Sequence, residues 1–171
     1  VKAYEEAYQA FSLAAERFPD DPDLIYEQAL AAERAGRFER MEALLRGLIE
    51  RQPDYHHAYN ALGYSLADRN ERLTEAKSLI QKALAAAPND AYILDSLGWV
   101  EFRLGNKQEA LRILQDAFRR LPDAEIAAHL GEVHWALGQR EEALSVWREG
   151  LLLNPENETL LNTLQRLQVR P

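Results

Sequence analysis

The chain has 171 residues, 47% of them hydrophobic and 28% charged, which is enough apolar material for a core and excludes a disordered chain. Its 28 acidic residues against 20 basic ones give a net charge of −8 and a pI near 5.1, excluding the phosphate-neutralising surface that nucleic acid requires. With no cysteine there are no disulfides, thiolate metal sites or cysteine nucleophile, and with no apolar run near 18 residues this segment does not insert into a membrane.

Prolines at 19, 53, 88, 122 and 155 set a period of 33 to 35 residues, and proline tolerates only helix ends and turns. Residues 1–19 read as half a repeat, because Ala7, Phe11, Ala14 and Pro19 have the spacing of Ala110, Leu114, Ala117 and Pro122. Val1 is not a methionine, so the chain is expected to begin inside a longer array, with no signal segment visible. A first full repeat over about 22–55 opens at Asp21-Pro22, with carboxylates at the positive end of a helix. It is degenerate, with Gln28-Ala29 in place of a Leu-Gly pair and Met41 in place of alanine. The second, about 56–90, carries Leu62-Gly63, Ala76 and Ala83, with one extra residue between 68 and 74 and a helix expected to restart at Thr74. The third, about 91–123, has Leu97-Gly98, the turn Gly105-Asn106, and the stripe Ala110, Leu114, Ala117 before Pro122. The fourth, about 124–155, repeats this pattern 33 residues on and has lost one residue near Pro122-Asp123-Ala124. A final amphipathic helix, about 157–168, with Leu160, Leu161, Leu164 and Leu167 on one side, is expected to cap the array.

Small residues where two helices cross and large ones where the gap needs filling make this pattern resemble the tetratricopeptide repeat. The expected fold is therefore all-α, a right-handed superhelix of four helix-turn-helix repeats with an N-terminal half repeat and a C-terminal capping helix. A lone helical hairpin cannot bury its apolar face, so the repeats must stack, and first helices are expected to line the concave side.

Counted from helix starts at 22, 56, 91 and 124, packing uses the fourth, seventh, eighth and eleventh positions. The second, fifth, ninth, twelfth and thirteenth point to the groove. They hold Asp23, Tyr26, Leu30, Glu33 and Arg34, then His57, Asn60, Tyr64, Ala67 and Asp68. In the later repeats they hold Tyr92, Asp95, Trp99, Phe102 and Arg103, then Glu125, Ala128, Glu132, Trp135 and Ala136. Solvated positions have no packing reason to be aromatic, so Tyr64, Tyr92, Trp99, Phe102 and Trp135 suggest a binding surface, the alternative being that they pack on one another. The candidate partner-binding residues are Tyr26, His57, Asn60, Tyr64, Tyr92, Asp95, Trp99, Phe102, Arg103, His129, Glu132 and Trp135. Asn60 and Asp95 could bond an extended peptide, Arg103 could pair with a carboxylate or with Asp95 or Glu132, and His129 reads as a hydrogen bonder at the groove edge. On this reading Trp99→Ala with Tyr64→Ala weakens partner capture without disturbing folding.

No metal site or cofactor is expected. His56 and His57 diverge on a helix, and His129 and His134 are five apart and share no face well. No serine sits in a Gly-x-Ser-x-Gly setting, and there is no phosphate loop or H-E-x-x-H, so nothing argues for an enzyme.

The segments Tyr59–Arg69, Ile93–Trp99 and Glu125–Val133 resemble the C-terminal repeats of proteobacterial outer-membrane tetratricopeptide lipoproteins, over about 56–155. One such protein is an adaptor for a periplasmic carboxyl-terminal processing protease that degrades peptidoglycan hydrolases. The resemblance implies a periplasmic scaffold anchored at the outer membrane through a segment absent here, with protein or peptide partners including the protease and its hydrolase substrates. The alternatives are a cytoplasmic co-chaperone clamping an acidic tail, for which only Asn60 and Arg103 fit, and a scaffold in a secretion or pilus machine.

Overall fold

The computed structural model describes residues 2–171, and Val1 lies outside the described residues. Ten helices follow one another among them: α1 (Lys2–Arg17), α2 (Pro22–Arg34), α3 (Phe38–Arg51), α4 (His56–Asp68), α5 (Leu73–Ala86), α6 (Ala91–Arg103), α7 (Lys107–Arg120), α8 (Ala124–Ala136), α9 (Arg140–Leu153) and α10 (Glu158–Leu167). The described residues contain no strand. Consecutive pairs α2–α3, α4–α5, α6–α7 and α8–α9 pack as hairpins, and each hairpin also packs on the next.

The helix boundaries follow from local chemistry. Asp21, Asp90, Asp123 and Asn157 are N-caps whose side-chain oxygens accept from the backbone N–H groups that a first turn leaves unpaired. Each first helix α2, α4, α6 and α8 ends in the same closure, with Arg37, Glu71, Asn106 and Gln139 donating N–H to the carbonyls of Ala32, Leu66, Glu101 and His134 at 2.8–3.0 Å. That closure needs one left-handed residue. Gly36, Gly105 and Gly138 supply it at φ 73, 90 and 79°, and Asn70 supplies it in the second repeat at φ 58°. Only there does the chain take two residues, Glu71 and Arg72, before the next helix instead of one, so this is where the extra residue sits. Thr74 does not cap α5; the helix starts at Leu73 after Arg72, itself left-handed at φ 42° and without a side-chain cap bond. The missing residue of the fourth repeat lies between α7 and α8, where Leu121 and Asp123 end and begin helices with only Pro122 between them.

The eighth position of each first helix is where its partner crosses. Ala29, Gly63, Gly98 and Gly131 fill it and are fully buried or nearly so. A Cβ on Gly63 would meet Ile80 Cγ1 at 2.7 Å, on Gly98 Leu114 Cγ at 2.5 Å, and on Gly131 Trp147 Nε1 at 2.2 Å. The core is a column of such crossings, running from Ala29, Met41 and Leu45 through Leu62, Leu66 and Ile80 to Trp147, each shut off from solvent. In α10 the eighth position is Gln165, exposed and larger than the small residue found at each crossing above. Leu160 and Leu164 are buried against α8 and α9 as expected of a cap, but Leu161 is 43% exposed because it faces where a further second helix would lie. The superhelix curls far enough that the Tyr4 hydroxyl of α1 donates to the Glu158 carboxylate at the start of α10.

Candidate concave groove

First helices pack on one another as well as on their partners, α4 on α6 and α6 on α8. That second packing buries several positions that the 3.6-residue period had pointed at solvent. Trp99 is 4% exposed, with its ring stacked 4.4 Å from His129 at 26° and its indole N–H donating to Asp68 Oδ1 at 3.2 Å. His129 is 1% exposed and lies at the centre of the stack of first helices, not at a groove edge. Its Nδ1 faces both oxygens of Asp95 at 2.9 Å, and its Nε2 faces the Tyr64 hydroxyl at 3.2 Å. Asp95 is itself buried, so α4, α6 and α8 are joined through one Tyr-His-Asp chain beneath the groove floor. Burial pulls the His129 imidazole down, yet the Asp95 charge and hydrogen bond outweigh it and hold the group above its ordinary value. The Tyr64 hydroxyl is pushed well up by burial, with the carboxylates of Asp68, Glu125, Asp95 and Glu33 adding to it.

The remaining candidates divide into those that reach the groove and those that do not. Glu132 is buried and ion-paired with Arg166 of α10 at 2.6 Å. Arg103 pairs with neither Asp95 nor Glu132; its guanidinium donates to the Ala67 and Asp68 carbonyls at the end of α4, at 3.2 and 3.5 Å, where the helix leaves carbonyls unpaired. Phe102 packs into the core beside Trp99, 5.3 Å between rings. Trp135 packs on Trp147, with the Arg140 guanidinium 3.4 Å from its ring. His57 stands at the start of α4 against Tyr26, Tyr55 and His56. The aromatic groove centre expected from the sequence is thus largely interior packing.

What remains open is a pocket of about 270 Å³ on the concave side. Tyr26, Leu30 and Glu33 of α2 form one wall, Asn60, Ala61 and Tyr64 of α4 the floor, and Tyr92, Asp95 and Ser96 of α6 with Glu125 of α8 the far wall. Tyr92 is 49% exposed and its hydroxyl donates to Asp123 at 3.3 Å. Of the candidates, the structure brings together Tyr26, Asn60, Tyr64, Tyr92 and Asp95. The residues that selection for aromatics passed over are Glu33 and Glu125, both on groove positions by the period. Burial raises each carboxyl above its ordinary value; for Glu33 the Ser65 hydroxyl, Arg69 and Arg34 pull the other way, and for Glu125 His129 does. The signal that could have found them is the lack of any lysine or arginine at the second, fifth, ninth and twelfth positions of the four first helices. The Asn60 Oδ1 atom is shut off from solvent and has no hydrogen-bond partner. No group of histidine, aspartate and glutamate among the described residues could hold a metal ion, and no helix among them is long and apolar enough to cross a membrane.

A stack of short antiparallel helical hairpins with small residues at every crossing and a concave face lined by first helices defines an α-solenoid interaction scaffold. The chain matches the tetratricopeptide-repeat profile over residues 26–91 and 96–158 and belongs to that family. It is 45% identical over 124 residues, 72% of this chain, to the TPR repeat-containing protein PA4667 of Pseudomonas aeruginosa strain PAO1, and it spans about a fifth of that relative's length. It is similar to the crystal structure of TTC0263, a thermophilic TPR protein of Thermus thermophilus, with a TM-score of 0.84, 25% identity, and 97% of this chain and 91% of that one covered. The APC/C Cut9–Hcn1 hetero-tetramer shares the fold, with a TM-score of 0.82 and 20% identity over 99% of this chain and 35% of that one. The all-α TPR superhelix implies a protein–protein interaction scaffold, and proteins of this kind are generally non-catalytic.

Proposed function

We propose that this chain is a non-catalytic adaptor module whose concave pocket between α2, α4, α6 and α8 holds an extended segment of a partner protein. The observation that carries this reading is the open pocket walled by four first helices, with the Tyr92 ring half exposed in its lining. The finer reading is a periplasmic adaptor, held at the outer membrane by a segment outside this sequence, that presents peptidoglycan hydrolases to a carboxyl-terminal processing protease. What supports it is the resemblance of Tyr59–Arg69, Ile93–Trp99 and Glu125–Val133 to the C-terminal repeats of such lipoproteins. The co-chaperone alternative is disfavoured because an acidic tail would enter a pocket already holding Glu33, Asp95 and Glu125.

A photo-crosslinking amino acid placed at Tyr92, compared with one at the convex Arg119, tests the groove. In periplasmic extract the Tyr92 position should give adducts containing the processing protease or a cell-wall hydrolase. Equal adducts from both positions would remove the groove reading, and adducts with neither class of protein would remove the periplasmic adaptor reading.

A further inference from the structure

The pocket's charged groups are all carboxylates. Glu33 of α2 and Glu125 of α8 both line it without an ion-pair partner among the described residues, while Asn60 Oδ1, with nothing to accept from, is itself shut off from the open space. The third carboxylate, Asp95, is spent on His129. No lysine, arginine or histidine lines the pocket, and three phenol rings, Tyr26, Tyr64 and Tyr92, line it along with Leu30, Ala61 and Ser96. The Tyr64 hydroxyl is engaged by His129 and the Tyr92 hydroxyl by Asp123, so these rings offer faces more than donors. Partly desolvated carboxylates and electron-rich aromatic faces share one complement, a positively charged donor.

We propose that the segment bound in this groove inserts a lysine or arginine side chain into this pocket, against the carboxylates of Glu33 and Glu125 that line it. This rests on the groove reading above and adds to it the chemistry of the partner: a basic segment, where many helical-repeat grooves grip acidic tails. Lysine's ammonium carries three donors and arginine's guanidinium five, and neither brings an acceptor into a pocket whose charged groups are all carboxylates. Burial has already made the ionised carboxylates costly in the free protein, so the cation both gains charge-assisted hydrogen bonds and relieves that cost.

The test pans phage-displayed random decapeptides on the immobilised chain. Selected sequences should share one lysine or arginine, and replacing it by norleucine should weaken binding roughly ten- to hundredfold, the range for one to two charge-assisted hydrogen bonds. The variant Glu33→Gln/Glu125→Gln should fold with unchanged helical circular dichroism, since burial already favours the neutral carboxyls, and should lose the preference for the basic residue. A benzophenone side chain at Tyr92 decides where the peptides bind. If it captures them but they carry no shared basic residue, or are acidic or purely apolar, the cation proposal is overturned and the groove reading stands. If it captures none, or panning yields no binder, both are overturned.

Discussion

Trp99→Ala separates a groove anchor from an interior wedge. A solvated anchor would leave stability untouched and weaken only capture, whereas the ring observed here is 4% exposed, stacked on His129, 5.3 Å from Phe102, and bonded through its N–H to Asp68 on the preceding first helix. Truncating a buried tryptophan to alanine costs about 3–5 kcal/mol through lost transfer energy and the cavity left behind. For a chain of this length each kcal/mol moves the melting midpoint by about 2–4 °C, so a fall of roughly 10 °C is expected. The loss should be local in a quasi-one-dimensional stack, so hydrogen exchange should quicken most in α6 and α8, with α1–α3 little changed. Trp99→Phe, which keeps a ring over His129 and loses the N–H, should recover more than half of the fall. Differential scanning calorimetry with exchange mass spectrometry measures both. A Trp99→Ala protein melting within about 2 °C of the parent would refute the burial argument and restore Trp99 as a surface anchor. It also follows that Trp99→Ala with Tyr64→Ala is no clean test of binding, because both side chains hold the Tyr-His-Asp chain in place.

Opposite signs are expected for two glycine-to-alanine substitutions. Gly131→Ala drives a Cβ into the Trp147 ring, which is fully buried and bonded to the Ala128 carbonyl, so overpacking of about 3 kcal/mol should exceed the helix-propensity gain of about 1; at Gly47 a Cβ meets nothing within 4 Å, and alanine should stabilise by about 1 kcal/mol. Guanidinium midpoints that move in the same direction for both would show that the crossings are looser than described. Thermal stability should be higher at pH 5.5 than at pH 8. Glu33, Glu125 and His129 are all raised in the fold, so the folded state binds more protons than the unfolded one, and stability is lost as pH rises, from 4.5 upward for the glutamates and from 6.5 upward for the histidine. Below 4.5 the trend should reverse as Glu42, held down to about 2 chiefly by its hydrogen bond from Arg72, begins to lose that contribution; a flat profile between pH 5.5 and 8 would contradict the burial of these groups. Asp95→Ala, by stranding His129 without its carboxylate, should destabilise by about 3–5 kcal/mol, and a loss below about 1 in urea unfolding would mean the pair is solvated.

The period, the crossings and the two length irregularities were legible because each is a local demand on one residue type. Proline, a left-handed glycine or asparagine, an aspartate cap and a small eighth residue leave a mark wherever they fall. What failed were inferences about a face that needs three helices at once. Counting a 3.6-residue period around α6 puts Trp99 and Asp95 on the outside of their own hairpin, which is correct, and says nothing of α4 and α8 closing over them. Thr74 failed for a related reason: it has the chemistry of a cap, but Arg72 had already turned the chain into α5.

The same geometry explains why the site shifted from aromatic to acidic. Where neighbouring first helices meet, large rings are useful as filler, so Trp99 and Phe102 were drawn inward; between α2, α4 and α6 the ninth position carries the smaller Leu30 and the half-buried Tyr64, and a gap remains. Partial burial in the walls of that gap is why Glu33 and Glu125 are both raised although neither is fully covered. A scaffold that needed only stability would have placed apolar or ion-paired residues there, since two partly buried carboxylates without an ion-pair partner cost free energy in the empty state. The cost is removed when a cationic segment fills the gap, so the least stable part of the concave face is the part best suited to hold a partner.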